Sequence, residues 1–118
     1  MARRSGELER RCPYVSKVQA VIGGRWKIEI LYYVGMKGVR RFGELKRCIG
    51  GISDSTLSKQ LRELEADGLL LREDFGEVPP HVEYTLSDRG KGFVPVLEAL
   101  RAWGEAEYAQ EASGPSAS

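Results

Sequence analysis

The stretch that decides the fold runs from residue 52 to residue 90 and reads ISDSTLSKQLRELEADGLLLREDFGEVPPHVEYTLSDRG. Its first part has apolar residues at helical spacing, namely Leu57, Leu61 and Leu64. Ser53 stands where the N-cap of such a helix belongs, and Gly68 stands where glycine commonly ends helices. These residues predict a capped helix with one narrow apolar stripe and an opposite polar face.

A β-hairpin is predicted directly after this helix. Residues 69–75 and 81–86 read as short strands, and the second alternates apolar and polar side chains. Residues 76–80, which include two prolines, form the tip between them. A helix followed by a hairpin is the order of the reading half of a winged helix-turn-helix, in which the helix enters a DNA groove beside the hairpin. The stretch therefore favours DNA recognition.

The residues before this unit predict three more helices. The first begins at Pro13, because proline suits the first helical position. Residues 25–34 are apolar nearly all round and predict a central buried helix, which Gly35 and Gly38 are expected to end. Residues 41–49 predict the helix that precedes the turn.

The length of 118 residues suits one domain with a modest core. We expect a mobile basic arm at residues 1–11, a single domain at 12–111 and a disordered tail at 112–118. The sequence has no apolar run long enough to span a bilayer, and its start lacks the apolar stretch of a secretory signal. The expected location is therefore the cytoplasm, without membrane association.

The inventory of reactive side chains argues against an enzyme. Cys12 and Cys48 lie far apart without a CxxC spacing, which argues against a zinc module or a disulfide scaffold. His81 is the only histidine, and the sequence contains no phosphate loop. We therefore expect no catalytic activity, no metal and no cofactor.

Charge is segregated along the chain although the net charge is only +1. Residues 36–62 contain seven basic and two acidic side chains, whereas residues 63–77 contain one basic and six acidic side chains. A basic block over the candidate reading unit is the electrostatic pattern of a phosphate binder. Two solvated faces of opposite charge would give the same pattern.

Short motifs are spread along nearly the whole folded part of the chain. They are GGRW at 23–26, RFGEL at 41–45, GIS at 51–53, LRELE at 61–65 with Gly68, and VPPHVEY at 78–84. Together they resemble the HxlR-type branch of the MarR-like winged-helix transcriptional regulators, from about Cys12 to Trp103. The chain departs from the family at Gly50, where proline is common. The resemblance implies a homodimer whose two recognition helices read one palindromic operator in double-stranded DNA.

The polar face of the helix after Ser53 supplies most of the candidate DNA contacts. Short polar side chains near its start suit base edges, and long cations further along suit phosphates. By resemblance, Arg41 is the basic residue that starts the preceding helix and anchors a phosphate. For each residue a solvated surface role is the alternative. The candidate DNA-binding residues are Arg41, Ser53, Ser55, Thr56, Ser58, Lys59, Arg62 and, in the otherwise acidic wing, His81.

A last helix is predicted from Ser87, and Pro95 should kink it or mark where its long straight part begins. Its apolar stripe continues past the compact domain and needs a partner surface, unless the helix folds back on its own domain. The predicted fold is thus mainly α with a small β-hairpin: a winged helix-turn-helix domain with N- and C-terminal dimerisation helices. The predicted dimer-interface residues are Tyr14, Val18, Leu97, Leu100, Trp103 and Tyr108.

Cys12 is a candidate redox-sensing residue. It is predicted to be the N-cap of the first helix and follows Arg10 and Arg11, and both surroundings stabilise a thiolate. By resemblance, several HxlR-type regulators sense oxidants or electrophiles through a cysteine at this position. The alternative is a cytosolic cysteine without a signalling role. Cys48, on an apolar helix face, is expected to be a buried structural thiol.

The function favoured by these observations is a sequence-specific transcriptional regulator, a repressor more than an activator. Its effector would be an oxidant acting at Cys12 or a small ligand bound between its halves. The alternative is a winged-helix protein-interaction module that has lost DNA binding, which the acidic wing would suit.

Overall fold

The computed structural model describes residues 12–117, with side chains described up to residue 111. Its two strands form an antiparallel hairpin in which Leu70 pairs with Leu86 and Asp74 with Val82. This architecture confirms the predicted fold, mainly α with a small β-hairpin. The elements are α1 (Pro13–Ile22), α2 (Lys27–Met36), α3 (Phe42–Ile49), α4 (Asp54–Ala66), β1 (Leu70–Asp74), β2 (Val82–Leu86), α5 (Asp88–Gly92) and α6 (Val94–Ala117).

The core forms around the central helix α2. This helix packs against α3, α6 and β2, while α4 packs against β1. Burial of each large aliphatic side chain contributes roughly 1.5–3 kcal/mol, so this cluster accounts for most of the driving force for folding. The buried apolar residues are Ile30, Leu31, Val34, Val39, Leu45, Ile52, Leu57, Leu61, Leu64, Leu69, Leu70, Leu86 and Leu97.

The end of α2 differs from the prediction. Gly35 does not end the helix, which continues to Met36 and has Lys37 as its C-cap. A Cβ at Gly35 would lie 2.6 Å from Leu86 Cδ1, so glycine serves here to let β2 pack closely against α2. Gly38, with φ of +69°, lies in the turn that follows.

The predicted last helix is divided in two at Phe93. Ser87 caps α5, since its Oγ accepts a hydrogen bond from the Gly90 N–H at 3.0 Å. Pro95 lies in the first turn of α6. Of the two alternatives predicted for it, it therefore marks where the long helix begins and does not kink that helix. The predicted tail at 112–118 overlaps the end of α6, and its disorder stays a prediction. The predicted arm at 1–11 lies outside the described residues.

Candidate nucleic-acid interface

A cluster of hydroxyl groups fixes the start of α4. Ser53 has an extended backbone, and its Oγ accepts a hydrogen bond from the Thr56 N–H at 3.1 Å. The same Oγ donates to Thr56 Oγ1 at 2.9 Å and lies 3.3 Å from Ser55 Oγ. The predicted N-cap is therefore confirmed. Because the Thr56 hydroxyl is engaged in the cap, Ser55 is the more accessible hydroxyl at this end of the helix.

The polar face of α4 points to solvent and its apolar stripe points to the core. Leu57, Leu61 and Leu64 are at most 1% exposed. Lys59 and Arg62 are exposed on the opposite side. The structure thus brings Ser55, Lys59 and Arg62 onto the accessible side of α4, with Thr56 and Ser58 on its two flanks. Of the candidate residues, Ser53, Ser55, Lys59 and Arg62 are exposed, and Thr56 and Ser58 are half-buried.

Two ion pairs fix α4 against the neighbouring helices. Lys46 Nζ of α3 lies 2.7 Å from Asp54 Oδ1 in the first turn of α4. Lys27 of α2, which is 7% exposed, places its Nζ 2.7 Å from Glu63 Oε1. The hydrogen bond from Lys27 lowers the pKa of the Glu63 carboxyl, and the charges of nearby cations add to this effect. Glu63 Oε2 also lies 4.0 Å from Lys59 Nζ, so one carboxylate forms ion pairs with a buried and an exposed lysine.

Arg41 is the N-cap of α3, with φ of −109° and ψ of 147°. Its side chain is exposed beside a helix N-terminus, where free backbone N–H groups favour anions. The preceding residue, Arg40, accepts a hydrogen bond at its backbone carbonyl from the Tyr84 N–H at 2.8 Å. The segment before α3 is therefore attached to β2, and the helix-turn-helix and the wing meet here.

His81 of the wing is held by two carboxylates. Its Nδ1 lies 3.1 Å from Glu77 Oε1, and its Nε2 lies 2.8 Å from Glu83 Oε2. Its ring stacks on Phe75 with a centroid distance of 4.3 Å. Because both ring nitrogens are engaged within the wing, this geometry argues against a direct DNA contact by His81. We call the group of His81, Glu77, Glu83 and Phe75 the wing clamp.

An apolar surface runs from α1 onto α6. It contains a groove of about 620 Å³ that is lined in part by Tyr14, Val18 and Phe93. Further along α6, Trp103 and Tyr108 contact each other edge to face, with ring centroids 5.8 Å apart. The exposed fractions are 79% for Tyr14, 45% for Val18, 44% for Leu100, 60% for Trp103 and 49% for Tyr108.

The prediction that Leu97 lies in the dimer interface is wrong. Leu97 is 2% exposed and belongs to the core of its own chain, so it is not available to a partner. Helical spacing identified the apolar residues of α6 but did not distinguish the face that packs on α2 from the face that points outward. Val15 and Val96, which were not predicted, are 65% and 46% exposed and line the groove.

Both cysteines are exposed, which is compatible with the role predicted for Cys12 and disagrees with that predicted for Cys48. Cys12 is exposed at the N-cap of α1, where its Sγ accepts a hydrogen bond from the Val15 N–H at 3.5 Å, and this capping role was predicted. Cys48 is also exposed, so the predicted buried thiol is wrong. Leu45 defines the buried face of α3, and Cys48 lies three residues on, at the edge of that face.

Among residues 12–117, no three His, Cys, Asp or Glu side chains come together in a way that could hold a metal ion. None of the helices in this part of the chain is long and apolar enough to cross a membrane.

Comparison with known proteins agrees with this geometry. Residues 21–112 match the model of the HxlR-like helix-turn-helix family. The chain belongs to this family. An HTH-type transcriptional regulator of Halalkalibacterium halodurans is 51% identical over 85 residues, which cover 72% of this chain and 75% of the relative. A second relative, YdzF of Bacillus subtilis, is 44% identical over 88 residues, 75% of this chain and 81% of its own.

Solved structures of similar regulators have the same fold. A structure described as the redox regulator HypR in its oxidised form has a TM-score of 0.75 and 42% identity, covering 80% of this chain and 96% of that chain. Reduced YodB of B. subtilis has a TM-score of 0.68 and 32% identity, with 80% and 92% of the two chains covered. These relatives confirm a helix-turn-helix transcriptional regulator of the MarR-like type, and not an enzyme.

Proposed function

We propose that this regulator is a sequence-specific repressor that acts in the cytoplasm by occupying its operator through α4. The observation that carries the proposal is the outward face of α4, with Lys59 and Arg62 exposed above a fully buried leucine stripe. A helix anchored in this way can enter the major groove without losing its own packing. A bound repressor would block transcription by excluding the polymerase from the same DNA.

The DNA contacts proposed for α4 fall into two groups, according to the chemistry of the side chains. Ser55 and Ser58, short and polar, suit base edges or their bound waters, with Thr56 beside them as a secondary candidate. Lys59 and Arg62 suit phosphates, as does Arg41 at the start of α3. Ser53 is assigned to the cap, and a phosphate contact is proposed as its second role. No DNA contact is assigned to His81, because both of its ring nitrogens interact with carboxylates of the wing.

The regulator is proposed to act as a homodimer on a palindromic operator. The apolar groove of α1 and α6 and the exposed Leu100, Trp103 and Tyr108 support a second copy of this chain as the partner. A two-fold dimer of this kind places its recognition helices about 34 Å apart, one turn of DNA. The operator would then have two inverted half-sites.

Salt dependence of DNA binding tests this function against a protein-interaction module. Each phosphate contact contributes a slope of about −0.9 to the plot of log affinity against log salt. We expect a steep slope, about −4 or beyond for a dimer, with a mixed-sequence duplex of about 30 base pairs. An interaction module would show no measurable binding even at low salt, and that outcome would contradict the function.

Oxidation of Cys12 is the effector mechanism that we propose. HypR, described as a redox regulator, and YodB, whose structure is also known after diamide treatment, are relatives of this chain. Cys12 is exposed, and its Sγ accepts a hydrogen bond from the Val15 N–H at the start of α1. The deprotonated sulfur would attack one oxygen of hydrogen peroxide, so that an S–O bond forms, the O–O bond breaks, a sulfenic acid is left on Cys12 and hydroxide is released. A small ligand between the two subunits is the alternative effector.

Peroxide treatment is expected to release the operator from the wild-type protein. The expected loss of affinity is at least about tenfold, which corresponds to a coupling of about 1.4 kcal/mol. Cys12→Ser should bind the operator equally before and after treatment, as measured by fluorescence anisotropy. Cys48→Ser removes the other exposed thiol and reports whether oxidised Cys12 acts alone or with a second thiol. Equal release of the wild type and of Cys12→Ser by peroxide would contradict the mechanism.

A further inference from the structure

The wing clamp is a compact group of interacting charges. The two carboxylates of Glu77 and Glu83 approach opposite sides of the His81 ring, at 3.1 and 2.8 Å. The ring face stacks on Phe75, whose backbone N–H donates to the His81 carbonyl at 2.9 Å. Both nitrogens of an imidazole can donate to carboxylates at the same time only when the ring is protonated. The geometry is therefore that of an imidazolium between two anions.

The strand register explains why a cation is needed at this position. Glu73 of β1 lies directly opposite Glu83 of β2, so two carboxylates occupy one cross-strand pair. Like charges in this arrangement destabilise a hairpin. The His81 ring contacts Oε2 of Glu83, and Arg40 Nη1 lies 3.7 Å from Oε1 of the same carboxylate. A protonated His81 therefore offsets the repulsion within the wing.

The clamp is also connected to the helix-turn-helix. Arg40 forms an ion pair with Glu83 and bonds through its carbonyl to the Tyr84 N–H, and the next residue, Arg41, is the N-cap of α3. The state of the His81 ring can therefore affect where the wing tip stands relative to the phosphate-binding residues at the start of α3.

We propose that His81 is a positioning residue of the wing, whose protonated ring holds the hairpin tip in the arrangement used for DNA binding, so that DNA binding is coupled to protonation of this ring. The proposal rests on the proposed DNA-binding function. It assigns to His81 a role through Glu77 and Glu83 and no contact with DNA.

The charges around His81 support this coupling. The hydrogen bond with Glu83, and then that with Glu77, raise the pKa of His81 above its ordinary value, while partial burial and the charge of Arg41 act in the opposite direction. The hydrogen bond with His81 lowers the pKa of Glu83. DNA phosphates that neutralise Arg41 and add negative charge nearby would raise the pKa of His81 further.

DNA binding should weaken as the pH rises, because bound DNA raises the pKa of His81. A group whose pKa is higher in the complex than in the free protein strengthens binding at low pH. That contribution is lost as the pH rises from the pKa of the free protein to that of the complex. Affinity should therefore fall with increasing pH, by at most about tenfold per pH unit for each His81.

The clamp can be tested without DNA, because His81 is the only histidine of the chain and gives a single imidazole signal in NMR. We expect its titration midpoint to lie above the ordinary value of about 6.5. Glu83→Gln and Glu77→Gln should each lower the midpoint. Glu73→Gln is the matched control: it removes the same charge from the strand position opposite Glu83 but no hydrogen-bond partner of the ring, so it should lower the midpoint less. A midpoint that is ordinary in the wild type, or unmoved by Glu83→Gln, would overturn the clamp.

The coupling is tested by anisotropy with a duplex recovered by selection from a random pool, at constant salt between about pH 6 and pH 8.5. Wild-type affinity should fall by about threefold to tenfold over this range. His81→Gln should be weak and independent of pH, whereas His81→Arg, which stays charged, should bind tightly at both ends. Equal pH dependence in the wild type and His81→Gln would overturn the coupling. If no duplex is bound, the coupling fails together with the proposed function, and the NMR titration still shows whether the clamp exists.

Discussion

Replacing Lys59 and Arg62 together with alanine is expected to weaken binding to any duplex by about 500-fold at about 0.15 M salt. The two cations are exposed on the outward face of α4, and a dimer presents each of them twice. Loss of about four phosphate contacts should also reduce the salt slope by about 3.6. The measurement is anisotropy at several salt concentrations with the selected operator and with a scrambled duplex.

Two controls separate phosphate contacts from base contacts in α4. Lys59→Arg with Arg62→Lys keeps both charges and should preserve the salt slope. Ser55→Ala, at the exposed hydroxyl of the helix start, should change the preferred operator bases and leave the slope unchanged. A uniform loss across all sequences after Ser55→Ala would show that the face assigned to base reading is wrong.

Breaking the apolar face of α6 should have a comparably large effect. Leu100→Asp with Trp103→Asp places two charges on side chains that are 44% and 60% exposed in the single chain. We expect a monomer in sedimentation experiments and roughly a thousandfold weaker operator binding, because one subunit retains only one half-site. Since both residues lie outside the core, the fold should survive, as circular dichroism would show.

Leu71→Asp is the matched control for this change. Leu71 is 56% exposed but lies on β1 of the wing and does not line the groove between α1 and α6. It should leave the dimer intact. A wild-type protein that sediments as a monomer, or a Leu100→Asp/Trp103→Asp variant that remains a dimer, would contradict the proposed interface.

The sequence predicted most accurately those features that depend on local rules. The cap at Ser53, the stripe of Leu57, Leu61 and Leu64, and the hairpin all follow from spacing over a few residues, and the structure confirms them. The same is true of Cys12 at the start of α1. Capping chemistry and helical periodicity are fixed within one or two turns of chain, so they can be read without knowing the tertiary fold.

The predictions that were wrong concern features that depend on tertiary packing. Gly35 stays inside α2 because the Leu86 side chain lies against it, and no sequence rule places these residues together. Leu97 and Cys48 were each assigned to the wrong side of a helix, since periodicity identifies a stripe but not its edges or its partner.

Ion pairs between distant residues were also missed. Lys27 with Glu63 and Lys46 with Asp54 fix the orientation of α4, yet each pair joins two helices whose contact is set by the fold. The acidic wing looked unsuited to DNA in the sequence. The structure shows that part of this acidity is engaged by His81 and Arg40.

Selection of duplexes from a random pool by the purified, reduced protein is the most direct test of sequence-specific recognition by α4. A motif with two inverted half-sites, whose centres are separated by about one helical turn, is the expected result. Recovery of unenriched sequences, with affinity independent of the α4 side chains, would contradict DNA reading by this helix and favour an interaction module.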